Sequence, residues 1–350
     1  MVVDMERVRI GVLGASGYTG AELLRLLVSH HAAEIRWLTA DRNAGQQVGV
    51  LFPHLAHLDL PTLQRVEDVD TSSVDIVFCC LPHGLTQAVV KALPANLRVV
   101  DLSADFRLKD LDLYAATYGK PHEAPALQAE AVYGLAEHYG AAVASARLVA
   151  NPGCYTTAAE LPLIPLLEAG LIDQRGIIID AKSGVTGAGR AAKEANLFAE
   201  VSEGFHAYGV ATHRHTPEIE QCLSEFAKAP IRVTFTPHLV PMNRGILATI
   251  YARLSAGAGV DDLQERLAGS YASAPFVKVL PPRSLPATRH VRGSNLCLIA
   301  VHPSRIEGEV IILSVLDNLV KGASGQAVQN MNLMCGLPEA AGLGLAPMFP

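Results

Sequence analysis

The 350-residue sequence predicts an α/β protein with an N-terminal parallel-sheet domain and a second, α+β domain built on a mainly antiparallel sheet. Three observations predict it. Buried strand-like runs alternate with helical patterns as far as Ala150, a glycine-rich turn joins the first strand to the first helix, and strand runs crowd together beyond Ile231. With 50% hydrophobic residues the chain can fill two cores. Its formal charge of -6 argues against nonspecific nucleic-acid binding and leaves room for a local basic phosphate pocket. No run approaches the roughly 18 apolar residues of a membrane span. Met1 to Arg9 is charged rather than signal-like, so a cytoplasmic protein is expected. The 6 cysteines lack the spacing of a disulfide framework, and those at 79, 80, 222 and 297 sit in apolar or helical patterns.

Val8 to Leu13 reads as a buried strand, and Gly14-Ala15-Ser16-Gly17-Tyr18-Thr19-Gly20 leads into an amphipathic helix from Ala21 to Ser29. Strand, glycine turn and helix together make a dinucleotide site. Gly14 and Gly17 admit the backbone to a pyrophosphate resting on the helix N-terminus, and Gly20 lets the helix lie close on the sheet. A second strand, Glu34 to Thr39, ends near Asp41 and Arg42, where the cofactor ribose belongs. An acidic residue there selects a free 2'-hydroxyl, and an arginine accepts a 2'-phosphate. Asp41 lies past the strand end, so Arg42 favours NADP, with a solvated loop arginine as the alternative.

The apolar run Val74 to Leu81 fits a parallel strand buried on both faces. Leu81-Pro82-His83-Gly84 follows at its carboxyl end, where open α/β sheets bind ligands; Leu81 and Pro82 are therefore cofactor candidates, and His83 reads as a loop histidine. A helix from Thr86 to Leu93 and a strand from Arg98 to Asp101 come next. Ser103 and Arg107 lie on the same rim and suit a phosphate or carboxylate; the alternative for Arg107 is a surface ion pair with Asp105.

Asn151-Pro152-Gly153 is turn chemistry after a short strand ending at Ala150, and a helical pattern follows Thr157 up to Glu168. Cys154 thus stands near a helix N-terminus, where unpaired amides and the helix dipole favour a thiolate. Spacing alone leaves open a nucleophile or a buried cysteine after a turn. A strand from Gly176 to Ala181 runs into a second glycine-rich loop, Lys182 to Arg190, able to wrap a ligand or simply mobile. His213-Arg214-His215-Thr216-Pro217-Glu218 opens another helix and offers histidines for general acid-base work, although either could be an ordinary histidine. Strands at Ile231 to Pro237, Gly245 to Arg253, Asn295 to Val301 and Val310 to Leu316 then build a sheet that needs covering, which points to a homo-oligomer. Gly322 to Met334 is a helix expected to return to the first domain, and a Pro/Gly-rich tail follows.

In this order these motifs, together with Asp317-Asn318-Leu319-Val320-Lys321-Gly322, resemble the N-acetyl-gamma-glutamyl-phosphate reductase family of arginine biosynthesis over nearly the whole chain. One departure is Thr156, where family members often carry proline. The resemblance implies the fold of aspartate-semialdehyde dehydrogenases. Residues 1–153 would form an NADP-binding Rossmann domain, completed by about 322–350, and residues 154–321 a catalytic and oligomerisation domain. It implies NADPH-dependent reduction of an acyl phosphate to an aldehyde, with NADP(H) as the cofactor, no metal, and a dimer or tetramer. Cys154 would attack the carbonyl and hold a thioester; His215, or else His213, would move protons, with Glu218 orienting the ring. Ser183, Gly184 and Asn318 would join the cofactor site, and Asn151 and Arg190 would join Ser103 and Arg107 around the substrate. A related acyl phosphate, aspartyl or N-blocked aminoadipyl, is the alternative substrate.

Overall fold

The computed structural model describes residues 7–350, so the first part of the charged N-terminal stretch, residues 1–6, lies outside the described residues. The chain divides into two compact units. The first ends at Pro152 and resumes over Ala323–Gly344; the second comprises Gly153–Gly322 and Leu345–Pro350.

In the first unit, strands β1 (Val8–Leu13), β2 (Ala33–Thr39), β3 (Leu63–Gln64), β4 (Ile76–Cys79), β5 (Arg98–Asp101), β6 (Val132–Tyr133) and β7 (Leu148–Ala150) form one sheet. Their order is β3-β2-β1-β4-β5-β7-β6, and every pairing is parallel. All of β4 and most of β1 are buried, as continuous apolar runs require when helices cover both faces. Chain order reverses between β1 and β4, and such a switch point opens a crevice at the carboxyl ends of the strands. The first helix is Tyr18–Leu27, three residues ahead of the expected start, with Leu23, Leu24, Leu26 and Leu27 turned into the core.

The last helix of this unit, Gly325–Met334, is buried although it is rich in amides. Hydrogen bonds make that possible. Gln326 and Asn330 donate to the Gly134 carbonyl at 2.7 and 2.8 Å, and Asn332 donates to the carbonyls of Glu339 and Ala341 at 3.0 and 2.9 Å. A π-helical turn, Val320–Ser324, precedes the helix, which therefore begins after Gly322 rather than at it. The tail corrects the sequence reading. Only its part up to Gly344 belongs with the first unit; Leu345–Pro350 belong with the second, where the Met348 amide donates to the Arg292 carbonyl at 2.8 Å.

The second unit carries β8 (Ile177–Gly184), β9 (His206–Ala207), β10 (Val233–Val240), β11 (Ile246–Arg253), β12 (Val277–Val279), β13 (Cys297–Pro303) and β14 (Glu309–Leu316). They pair in the order β12-β13-β14-β11-β8-β10-β9, parallel at β12/β13 and β8/β10 and antiparallel elsewhere. Helices Cys154–Glu168, His215–Ala227 and Val260–Ser270 belong to this unit. Helix Cys154–Glu168 is buried nearly throughout and contains Pro162 and Pro165. Pro165 has no N–H for the Leu161 carbonyl, and the Tyr271 hydroxyl donates to that oxygen instead. Among the described residues no helix is long and apolar enough to cross a membrane.

Gly20 shows how closely the first helix lies on the glycine turn that precedes it: a Cβ there would stand 2.6 Å from the Ala15 carbonyl oxygen. Gly20→Val is expected to push the helix outward and destabilise the protein by about 1–3 kcal/mol, read from the denaturant midpoint, whereas valine at exposed Gly269 should change it little.

Candidate active site

The glycine turn after β1 lies against the loop after β4. Gly14 adopts φ +76°, and a Cβ on it would stand 2.6 Å from the Cys80 carbonyl oxygen. Gly17 caps helix Tyr18–Leu27 with extended backbone and no side-chain cap bond, which leaves amides for an anion. Ser16 is half-buried, Tyr18 is exposed, and the Thr19 side chain pairs with the Cys80 thiol. Across the turn, Leu81 is half-buried and Pro82 exposed at the end of β4, while Arg42 is exposed in the 3₁₀ turn Asp41–Asn43 after β2. A helix start with free amides beside a glycine cradle fits a dinucleotide pyrophosphate.

The rim after β5 is less open than expected. Ser103 is buried, and its N–H and hydroxyl both donate to Asp101, at 2.9 and 2.8 Å. Burial pushes the Asp101 carboxyl up to about 7. Asp105 accepts the Gly84 amide on Oδ1 at 2.7 Å and the Thr86 amide on Oδ2 at 2.9 Å, and His83 Nδ1 lies 2.6 Å from Oδ1. Burial raises the Asp105 pKa, but His83 and these amides outweigh it and hold the carboxyl below its ordinary value. His83 is thus more than a loop histidine: it stacks on Tyr118 at 4.0 Å and pairs with a carboxylate. Arg107 is 7% exposed, which removes the alternative of a surface ion pair with Asp105, and its Nη2 donates to the Leu102 carbonyl at 3.0 Å. Asn151 donates to the Ala323 carbonyl at 3.2 Å and accepts from Asn330 at 3.2 Å, which ties the end of β7 to the last helix.

In the second unit the helix starts at Cys154 itself rather than after Thr157, because Gly153 is extended and the Thr157 amide already closes the first turn on the Gly153 carbonyl. Cys154 is half-buried. Glu218, fully buried in the first turn of helix His215–Ala227, accepts the Gly153 amide at 2.8 Å and contacts the Thr156 hydroxyl at 3.0 Å. Thr156 also donates to the Gly153 carbonyl at 2.6 Å, a brace that a proline could not supply. Gly322 closes the other side, where a Cβ would stand 2.8 Å from that of Cys154.

Tyr155 connects this turn to the histidines. Its ring meets His213 and His215 edge-on at 5.6 and 5.9 Å; its hydroxyl donates to the His238 carbonyl at 3.1 Å and accepts from Tyr208 at 3.1 Å. Burial raises both phenol pKa values, and the nearby Cys154 sulfur adds to that shift. Cys154, His213, His215 and Glu218 therefore belong to one cluster. Ser183 and Gly184 are the buried end of β8 rather than a free loop. Ser183 reaches Tyr155, and Asn318 joins the same layer by accepting the Gly245 amide at 2.8 Å and donating to Thr186 at 3.0 Å. Arg190 is exposed beyond the 3₁₀ turn Val185–Ala188.

Comparison with known proteins agrees with this architecture. A family model described as semialdehyde dehydrogenase, NAD binding domain, matches residues 9–146, and one described as semialdehyde dehydrogenase, dimerisation domain, matches residues 154–318. The chain is 59% identical over 350 residues to the N-acetyl-gamma-glutamyl-phosphate reductase of Rhodospirillum rubrum, covering 99% of each. It is 58% identical over 345 residues to the probable chloroplastic N-acetyl-gamma-glutamyl-phosphate reductase of Oryza sativa subsp. japonica, covering 99% of this chain and 83% of that one. The chain belongs to the N-acetyl-gamma-glutamyl-phosphate reductase family. Aspartate semialdehyde dehydrogenase II of Vibrio cholerae shares the fold of this reductase family member at a TM-score of 0.71 and 17% identity, covering 95% of this chain and 99% of that one. The Candida albicans enzyme, solved with NADP, gives 0.67 at 18% identity, with 94% and 98% covered. The nicotinamide-dinucleotide character of the first unit follows from the family model.

Sequence reasoning passed over Tyr155 and Tyr208 as parts of this cluster. Tyr155 was detectable as the neighbour of Cys154, whereas Tyr208 lies in a stretch without any pattern.

Burial, then the Arg214 charge, push the His213 pKa from its ordinary 6.5 down to about 4. The unfolded chain takes up this proton first on acidification, so the contribution of His213 to stability is complete above about 6.5 and is lost as pH falls towards 4. Unfolding measured from pH 7 down to about 5 should therefore show a steeper loss for the native protein than for His213→Asn.

Proposed function

We propose that the chain reduces N-acetyl-L-glutamyl 5-phosphate to N-acetyl-L-glutamate 5-semialdehyde through a thioacyl intermediate on Cys154, as a step of arginine biosynthesis. The observation that carries this reading is a half-buried thiol on the first residue of a helix, beside two histidines and a buried carboxylate. In this reading the Cys154 sulfur attacks the acyl-phosphate carbonyl; the C–S bond forms, the C–O bond to phosphate breaks, and phosphate leaves. When bound, NADPH supplies the hydride that turns the thioester carbon into a thiohemiacetal. His215, having taken the Cys154 thiol proton before attack, gives that proton to the oxygen to complete the thiohemiacetal and takes it back as the C–S bond breaks, freeing the aldehyde and returning the sulfur as thiolate. Glu218 positions the sulfur by holding the Gly153 amide.

Ionisation accounts for little of the rate. A thiol of ordinary pKa is a few percent ionised at pH 7, so even half-ionisation gives at most about tenfold. Placement and neutralisation of charge on the departing phosphate supply the rest, and Arg107 and Arg190 are the residues assigned to the phosphate, with Ser103 and Asn151 beside them. In the cofactor site, Gly14, Ser16, Gly17, Tyr18 and Thr19 cradle the pyrophosphate and Leu81 and Pro82 flank it; Ser183, Gly184 and Asn318 are assigned to the cofactor by the family resemblance alone. Arg42 selects NADP over NAD, favoured by its exposure just past the ribose position at the end of β2. The second unit is read as the dimer-forming part: its sheet exposes Ile178 and Tyr251 at 41% and 39%, and the matching family model is a dimerisation domain. This reading places the enzyme in the cytoplasm, with a small acyl phosphate and a second copy of itself as partners and no nucleic acid.

The test is the reverse reaction, N-acetylglutamate semialdehyde with phosphate and NADP, followed as NADPH absorbance beside aspartate semialdehyde. The acetylated substrate should turn over faster, and Cys154→Ser should lower turnover at least about 1000-fold while NADPH still binds. Faster turnover of aspartate semialdehyde would move the substrate to the alternative acyl phosphate.

A further inference from the structure

His213, two residues ahead of helix His215–Ala227, and His215, its first residue, are not equivalent. Nδ1 of His213 accepts the His215 backbone N–H at 3.1 Å, and the His213 carbonyl accepts the Thr216 amide at 3.0 Å. The residue at the formal cap position, Arg214, makes no side-chain cap bond. His213 therefore satisfies two amides of the first turn, one through its ring and one through its backbone. A ring nitrogen that accepts carries no proton, so this imidazole is the Nε2–H tautomer while the bond stands. Tyr208, Phe235 and Tyr155 box the ring edge-on at 5.3, 5.4 and 5.6 Å, and the His215 ring meets it at 4.8 Å. The charged or titratable groups facing it are Arg214, His215 and the two phenols, whose pKa values lie well above neutrality.

Resting on the reductase reading above, we propose that His213 is a positioning residue: as a neutral ring it caps the first turn of helix His215–Ala227 and fixes where the His215 imidazole stands for proton transfer. The low proton affinity of His213 supports this role, because a group that stays neutral throughout the working pH range is a poor proton carrier and a steady acceptor. Of the two histidines in the motif, His215 is then the one left to carry the proton.

Three substitutions separate the roles. Asparagine presents an acceptor oxygen near the place of Nδ1, glutamine carries its amide one carbon too far, and leucine accepts nothing. His213→Leu should lower kcat of the reverse reaction roughly 100-fold, move the semialdehyde KM by less than about threefold, and shift the acid limb of the pH–kcat profile. His213→Asn should recover most of the loss and restore the limb, and His213→Gln should behave like leucine. Independently of turnover, NMR of ring-15N-labelled histidine, with His213 assigned by the signal that His213→Asn removes, should show a protonated Nε2 and a bare Nδ1 from about pH 8 to 5. The proposal is overturned if that signal titrates near neutrality, if leucine leaves kcat and the acid limb unchanged, or if asparagine is as impaired as leucine and both lack the limb. Should the native enzyme fail to turn over the semialdehyde at all, the substrate reading falls, while the NMR arm still decides the tautomer.

Discussion

One buried carboxylate holds together the part of the protein on which the chemistry rests. Glu218, without solvent exposure, takes the Gly153 amide, and Gly153 is the residue from which helix Cys154–Glu168 starts. A helix start leaves amides without partners, and here the glycine at the cap has no side chain to offer. The acceptor comes instead from the first turn of a second helix, His215–Ala227, whose own start is capped by His213. Each helix thus depends on a group outside its own regular turns. A negative group between two helix N-termini also lies at the favourable end of both dipoles. Cys154 and His215, the first residues of the two helices, inherit their positions from this arrangement.

In the first unit the organising constraint is different. A fully parallel sheet cannot leave a face open to water, so helices cover it, and the only backbone free to meet a ligand lies at the strand ends. The Gly14 turn and the Leu81–Gly84 loop occupy those ends on either side of the switch point between β1 and β4. The last helix reaches its buried place through amide side chains that bond to the carbonyls of Gly134, Glu339 and Ala341. Leaving any of these carbonyls buried and unpaired would cost about 1–3 kcal/mol, so these amides are as necessary to the packing as the leucines around them.

Local readings succeeded where a residue's meaning is fixed by its immediate neighbours. The β4 run is apolar because both its faces are buried, and Gly14 is a glycine because its backbone is left-handed and touches Cys80. Readings failed where the deciding contact is remote. The helix starts at Cys154 rather than after Thr157 because the Gly153 amide is satisfied by Glu218, 65 positions away. Ser183 and Gly184 looked like loop because glycines follow them, yet β11 and β10 pair along that stretch and make it strand. For Arg107 the sequence left a ligand-facing rim residue and a surface ion pair both open, and only the folded rim shows it buried.

The sequence by itself determined the order of the elements, the two-sheet architecture and the dinucleotide turn, because periodicity, glycine placement and motif order are local properties of the chain. Tertiary structure decided what those residues touch. It gave Glu218 the Gly153 amide, paired His83 with Asp105, and set Tyr155 against both histidines. Which of two neighbouring histidines bonds through its ring is likewise invisible in a string of letters, because it depends on how a turn closes in space.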